Sequence, residues 1–282
     1  MISHILLATD LTDRSERALH RAVQVCQDGK AESLTLLHVV AVGLPPILTD
    51  QQISGAETFL AGKVAELHAL GLETPTNVVV RTGDPVSTVI AEGITVKADL
   101  ILVGAPGKPP YAQTLVGTTA ERVIRFGACP VLLVNQPPRG CYGRVLVAFD
   151  GSEAAMRSLA GALTIAADAE FRFVHAWWPP RVSFAASEDP RRGIAEDNDR
   201  LKAMISATVR RVLAGSQTGP AGIAIDMVEN NPYVVMSNEL RWPDLLVLGT
   251  HSKARLAGTA SIGQLALHLL SEATCDILIS RP

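Results

Sequence analysis

The chain has 282 residues, 48% of them hydrophobic and 19% charged, with a formal net charge of -3, a balance that suits two ordinary globular domains. It carries no basic stripe and no apolar run near the roughly 18 residues of a membrane span, and its start lacks a basic leader; nucleic acid and membrane are therefore excluded as partners, and a cytoplasmic protein is expected. Cys26, Cys129, Cys141 and Cys275 form no C-x-x-C pair, which fits buried thiols in a reducing compartment, with redox sensing a minor alternative.

Short Val/Ile/Leu runs alternate with helical patterns from the first residues onward. Strands are expected near 4–9, 33–40, 76–81, 99–103 and 130–134, and helices near 13–28, 52–70, 85–96 and 118–127. Ala18, Leu19, Ala22, Val23 and Cys26 give the first helix its apolar face, and Asp13-x-x-Glu16 has the form of a capping pair at its start. Gly83 occupies a turn that favours positive φ. Alternation of this kind points to an α/β fold, a mostly parallel sheet with helices on both faces.

The pattern then repeats. Ile5–Asp10 matches Val145–Asp150, Leu36–Val39 matches Phe173–Ala176, and Gly83-Asp-Pro85 matches Asn230-Asn-Pro232. Asp99–Gly104 matches Asp244–Gly249, and Ala128–Val134 matches Thr274–Ser280, with offsets drifting only from 137 to 147 residues. Five collinear pairs mean an internal duplication, with domains at 1–136 and 142–282. The join is the Pro/Gly-rich stretch 135–143. In the second copy a long helix is expected at 195–214 after the charged stretch 189–200, and Trp177-Trp178-Pro-Pro180 is expected to cover a sheet edge or a domain contact.

Ligands of open parallel sheets bind beyond the carboxyl ends of the strands, where Asp10, Val39 and Gly104 fall. From Gly104 the chain runs Gly104-x2-Gly107-x9-Gly117-Thr118-Thr119 into a helix. It is neither a P-loop nor a dinucleotide fingerprint. Glycines at both edges are also ordinary turn chemistry, and Thr118-x-x-Glu121 is a capping box. Both readings leave a helix start whose N–H groups suit an anion, and nucleotide binding is the reading we take forward. His38 and His175 recur without a base partner and read as structural.

Gly-x2-Gly-x9-Gly-Thr, the strand ending Ala8-Thr9-Asp10 and the strand ending His38-Val39 together resemble the nucleotide-binding universal stress proteins, over nearly the whole chain. The resemblance implies two tandem adenine-nucleotide-binding doubly wound domains, each with a five-stranded sheet. It places Ala8, Thr9, Asp10 and Val39 around adenosine, Gly104 near the ribose, and Gly107, Gly117, Thr118 and Thr119 about the phosphates. It also implies ATP, with AMP and ADP as alternatives, and Mg or Mn sharing the phosphate charge. Only Lys108 in the loop is cationic, so backbone amides and metal would carry much of the load. The implied role is a stress-response sensor or regulator of an unknown protein, against the alternatives of a slow ATPase and of a structural module that binds nothing. An intramolecular pseudo-dimer joined through the last strand of each copy is expected, with a further homodimer as an option.

The second copy departs from the motif. Ser252 replaces the second glycine and Ile262 stands where the third is expected, with Gly263-Gln264 following and Ser261-x-x-Gln264 offering an earlier capping box. Phe149 replaces Thr9 and is expected to fill part of the base cavity. One competent site, in the first copy, is the expectation.

Overall fold

The protein is described by a computed structural model covering residues 2–29, 31–43, 45–105, 118–177, 190–214, 220–250 and 262–282. The first half runs β1 (His4–Thr9), α1 (Asp13–Gly29), β2 (Ser33–Val40), α2 (Pro46–Ala69), β3 (Thr76–Thr82), α3 (Pro85–Thr95), β4 (Leu100–Gly104), α4 (Thr119–Phe126) and β5 (Val131–Val134). The second runs β6 (Arg144–Ala148), α5 (Glu153–Ile165), β7 (Glu170–Trp177), α6 (Pro190–Val212), β8 (Gly222–Glu229), α7 (Pro232–Glu239), β9 (Leu245–Gly249), α8 (Gln264–Glu272) and β10 (Asp276–Ser280).

All ten strands form one sheet, ordered β3-β2-β1-β4-β5-β10-β9-β6-β7-β8. Pairing is parallel everywhere except at the seam, where β5 and β10 run antiparallel with Leu133 opposite Ile277 and Leu132 opposite Leu278. Within each half the order reverses direction beside the first strand, the doubly wound arrangement expected of alternating strands and helices. The expected pseudo-dimer is thus built by the two closing strands.

Strand alternation sends side chains into two cores. Ile5, Leu7 and Leu36 pack beneath α1 and α2, while Leu6, Leu37 and Ile101 pack against α3 and α4. Leu132 and Leu278 share the first core and Leu133 and Ile277 the second, so both cores pass through the seam without a break.

Several local expectations need correcting. Helix α2 starts at Pro46, six residues before the expected start, because proline at the first helical position loses no hydrogen bond. Asp13 is the first residue of α1 rather than its cap, and the Glu16 carboxylate turns to Lys63 at 2.7 Å. Helix α6 starts at Pro190. At the two matched turns the work falls to Asp84 and Asn231, whose side chains accept from Ser87 N (3.0 Å) and Tyr233 N (3.0 Å) ahead of Pro85 and Pro232. Asn230 has no positive φ, whereas Gly83 does (φ 159°), and a Cβ there would lie 2.5 Å from Thr88 Oγ1. Trp178–Pro180 lie outside the described residues.

The seam carries a buried polar knot. Asp276 on β10 accepts from Arg21 Nε (3.0 Å), Tyr142 Oη (2.7 Å), Asn135 N (2.8 Å) and Gln136 N (3.2 Å). Arg21 Nη1 also reaches the Gly140 carbonyl at 2.9 Å, and its guanidinium lies 4.1 Å from the Tyr142 ring centroid. One helix of the first half, the linker and the last strand of the second half are therefore tied together. Burial pushes the Asp276 carboxyl above its usual value, against the pull of Arg21 and the other donors.

Candidate functional site

A cavity of about 420 Å³ opens at the carboxyl ends of β1, β2 and β4, where the strand order reverses. Ala8, Thr9, Asp10, Val39, Gly104, Thr118 and Thr119 all line it, so seven of the nine expected residues come together. Gly107 and Gly117, with Lys108, lie outside the described residues. Leu37, Val89 and Val103 supply apolar wall, which suits a ligand with one greasy and one polar end.

The polar rim is fixed from beneath. His38 Nδ1 faces the Thr9 carbonyl at 2.9 Å; since a carbonyl only accepts, that nitrogen carries its proton and Nε2 is left for other partners. Thr9 Oγ1 donates to Ser15 Oγ (2.8 Å) and accepts from Leu11 N (3.1 Å). Asp10 Oδ1 accepts from the Thr12 N–H (3.1 Å) and hydroxyl (2.6 Å). Burial pushes the Asp10 carboxyl up, but the Thr12 and Ser15 hydrogen bonds outweigh it and hold the group below its ordinary value. Leu11 sits at φ 63°, a left-handed conformation that costs a non-glycine residue about 1–2 kcal/mol. The second copy has Gly151 (φ 72°) in that place.

Gly104 both lines the cavity and has a packing reason to be glycine. A Cβ there would lie 3.1 Å from the Arg14 carbonyl, because the first turn of α1 presses onto the end of β4. Gly249 repeats this, 2.8 Å from the Ala154 Cβ and the Ala155 N. Thr118 is the N-cap of α4, its Oγ accepting from Glu121 N at 3.1 Å. Sequence reasoning missed Arg14 and Ser15, which also line the cavity; neither belongs to the glycine motif, and only the α1–β4 contact places them there.

The equivalent cavity of the second half holds about 170 Å³, below the roughly 300 Å³ at which ligand pockets begin. Phe149 is among the residues that line it, as expected, but its ring packs elsewhere. The Phe149 ring is buried in the opposite core, edge-on to Phe173 with centroids 6.3 Å apart, because residue 149 shares the face of Val147 rather than that of Ala148. What differs is the helix start. Aligning the buried faces of α4 and α8 (Ala120 with Ala266, Val123 with Leu269) puts Gln264 and Leu265 where Thr118 and Thr119 stand. Gly263 is the N-cap and offers no side chain, and its N–H is already given to the Thr250 carbonyl at 2.6 Å. The earlier capping box fails, since the helix begins at Gln264; His251, Ser252 and Ser261 lie outside the described residues. His175 repeats the His38 clamp, on the Phe149 carbonyl at 2.8 Å.

Other reactive groups are quiet. Burial pushes the Cys26, Cys129 and Cys275 thiols up to about 12, well away from a reactive thiolate. Ser237, His268 and Glu272 meet on α7 and α8, but Ser237 Oγ (3.0 Å) and Glu272 Oε2 (3.3 Å) both approach Nε2, so no proton relay can run through the ring. Among the described residues no three His, Cys, Asp or Glu side chains group to hold a metal, and no helix is long and apolar enough to cross a membrane.

A family model described as the universal stress protein family matches residues 1–135 and again 142–281. The chain belongs to that family. It carries two universal stress protein domains in tandem. A universal stress protein of Methanocaldococcus jannaschii is 31% identical over 145 residues, covering 48% of this chain and 83% of that one. One from Mycobacterium tuberculosis is 25% identical over 205 residues, covering 70% and 66%. The crystal structure of a universal stress protein from Archaeoglobus fulgidus superposes with a TM-score of 0.72 at 18% identity, over 99% of this chain and 98% of that one, and bears on the fold alone.

Proposed function

We propose that this universal stress protein binds one adenine nucleotide, ATP in the first instance, in its N-terminal domain (1–136), and acts as a cytoplasmic sensor or regulator in a stress response. The C-terminal domain (142–282) serves as a degenerate partner. The observation that carries this reading is the inequality of two otherwise equivalent clefts, about 420 against 170 Å³, with the hydroxyls of Thr118 and Thr119 present only in the larger. In it Leu37, Val39 and Val89 receive the base, Asp10 and Gly104 stand beside the ribose, and the start of α4 meets the phosphates.

The oxygen donors fit a hard divalent cation poorly by themselves and well in company. Asp10 is the one carboxylate among the described residues that line the cleft, and Mg or Mn is characteristically held by one or two carboxylates together with substrate phosphates. Bound that way, the ion would offset phosphate charge.

Calorimetry of the full chain with Mg-ATP tests the proposal, with one ATP per chain expected. Two would overturn the one-site reading, and none would support a structural module. Sustained turnover above about 1 per second, inside the ordinary enzyme range, would replace the sensor with an enzyme.

A further inference from the structure

Among the described residues, charge as well as volume distinguishes the two clefts. Arg14 is the one Lys or Arg among the described residues that line the larger cleft, and Asp10 the one carboxylate, so their charges cancel. The smaller cleft is lined by Asp150 with no Lys or Arg among its described residues. The packing against Gly104 and Gly249 identifies Ala154 as the counterpart of Arg14. Without Arg14, Asp10 would be the one carboxylate with no Lys or Arg beside it among the described residues that line the larger cleft.

Arg14 is also uncommitted. Its helix neighbours are engaged, Arg17 with the Asn135 carbonyl at 3.5 Å and Arg21 with Asp276, while Glu16 is taken by Lys63. Arg14 has no ion-pair or hydrogen-bond partner among the described residues. The Asp10 carboxylate is held by Thr12 and Ser15 rather than by this guanidinium. Its main chain lies against Gly104, where the glycine loop leaves β4, and it belongs to the first turn of a 17-residue helix, the positive end of the dipole.

We propose that Arg14 makes the cleft select nucleoside di- and triphosphates over monophosphates, cyclic monophosphates and bare nucleosides. This rests on the N-terminal domain being the nucleotide site. A planar guanidinium forms charge-assisted hydrogen bonds to phosphate oxygens, and each phosphate beyond the first brings more charge within its reach.

The test is calorimetry of the full chain and of its R14A and R14K variants with adenosine, AMP and ATP at low and physiological salt. Alanine should fold, because the Gly104 contact is made by main-chain atoms and Ala154 already fills the equivalent place; the helical signal and melting temperature check this. R14A should weaken ATP by about tenfold to a hundredfold while changing adenosine less than about twofold, and R14K should recover part of the loss. The salt dependence of ATP binding should flatten with it. If R14A leaves ATP binding unchanged, or weakens adenosine by the same factor, the role of Arg14 is refuted while the site stands. If the wild-type chain binds none of the three ligands, the site itself falls and Arg14 with it.

Discussion

Removing the carboxylate of Asp276 tests whether the two halves form one cooperative unit. In Asp276→Ala, the Arg21 guanidinium, whose side chain is 6% exposed, would stay buried without its counter-charge, and the Tyr142 hydroxyl and the N–H groups of Asn135 and Gln136 would lose their acceptor. Breaking a buried pair by deleting one partner costs about 3–5 kcal/mol, and the remaining donors keep the estimate at the upper end. That is a large part of the roughly 5–15 kcal/mol by which domains are stable. Urea unfolding followed by far-UV dichroism, which sees both halves, and by tryptophan fluorescence, which comes from Trp177, Trp178 and Trp242 of the second half, is the assay. We expect a single transition in the wild type and a loss of about 5 kcal/mol in the variant. The companion Arg21→Met/Asp276→Leu should recover much of it, because a matched apolar pair leaves no stranded charge. A cost below about 1 kcal/mol, or two separated transitions in the wild type, would refute the seam as described.

Thr118→Ala should cost about 1 kcal/mol of stability through the lost cap and weaken ATP more than adenosine, read by urea titration and calorimetry. Asp10 has a lowered folded value, so its stabilisation is present above the ordinary carboxylate range and is lost as pH falls through the lowered value. The advantage of wild type over Asp10→Asn in urea should be constant above about pH 5 and shrink below about pH 4. In a thiol-reagent titration at pH 8, only the exposed Cys141 should react in the native protein, slowly because burial and Asp28 raise its thiol. The other three should react on unfolding.

The strands of the first half were legible to within about a residue because each carries a short apolar run, and the central ones are buried on both faces. The duplicated aspartate, histidine and glycine landmarks likewise found the strand ends that build the cleft. What escaped was geometry between segments. Arg14 belongs to no spacing pattern and enters the cleft only because α1 presses on Gly104. Phe149 lines the smaller cleft as expected, but its ring packs on the α5 side, because the period of two sends the side chains of residues 9 and 149 that way. The Arg21–Asp276 pair joins residues 255 apart, a partnership no local pattern announces.

The knot at the seam also has a direction. The counterpart of Arg21 on α5 is Gly161, where a Cβ would press to 3.2 Å from Leu278, and the counterpart of Asp276 is Pro130. Opposite charges thus cross the junction one way only, so a first half paired with its own twin would bury Arg21 without a counter-charge. Halves separated at the linker would each carry one partner of this buried ion pair and leave it without its counter-charge.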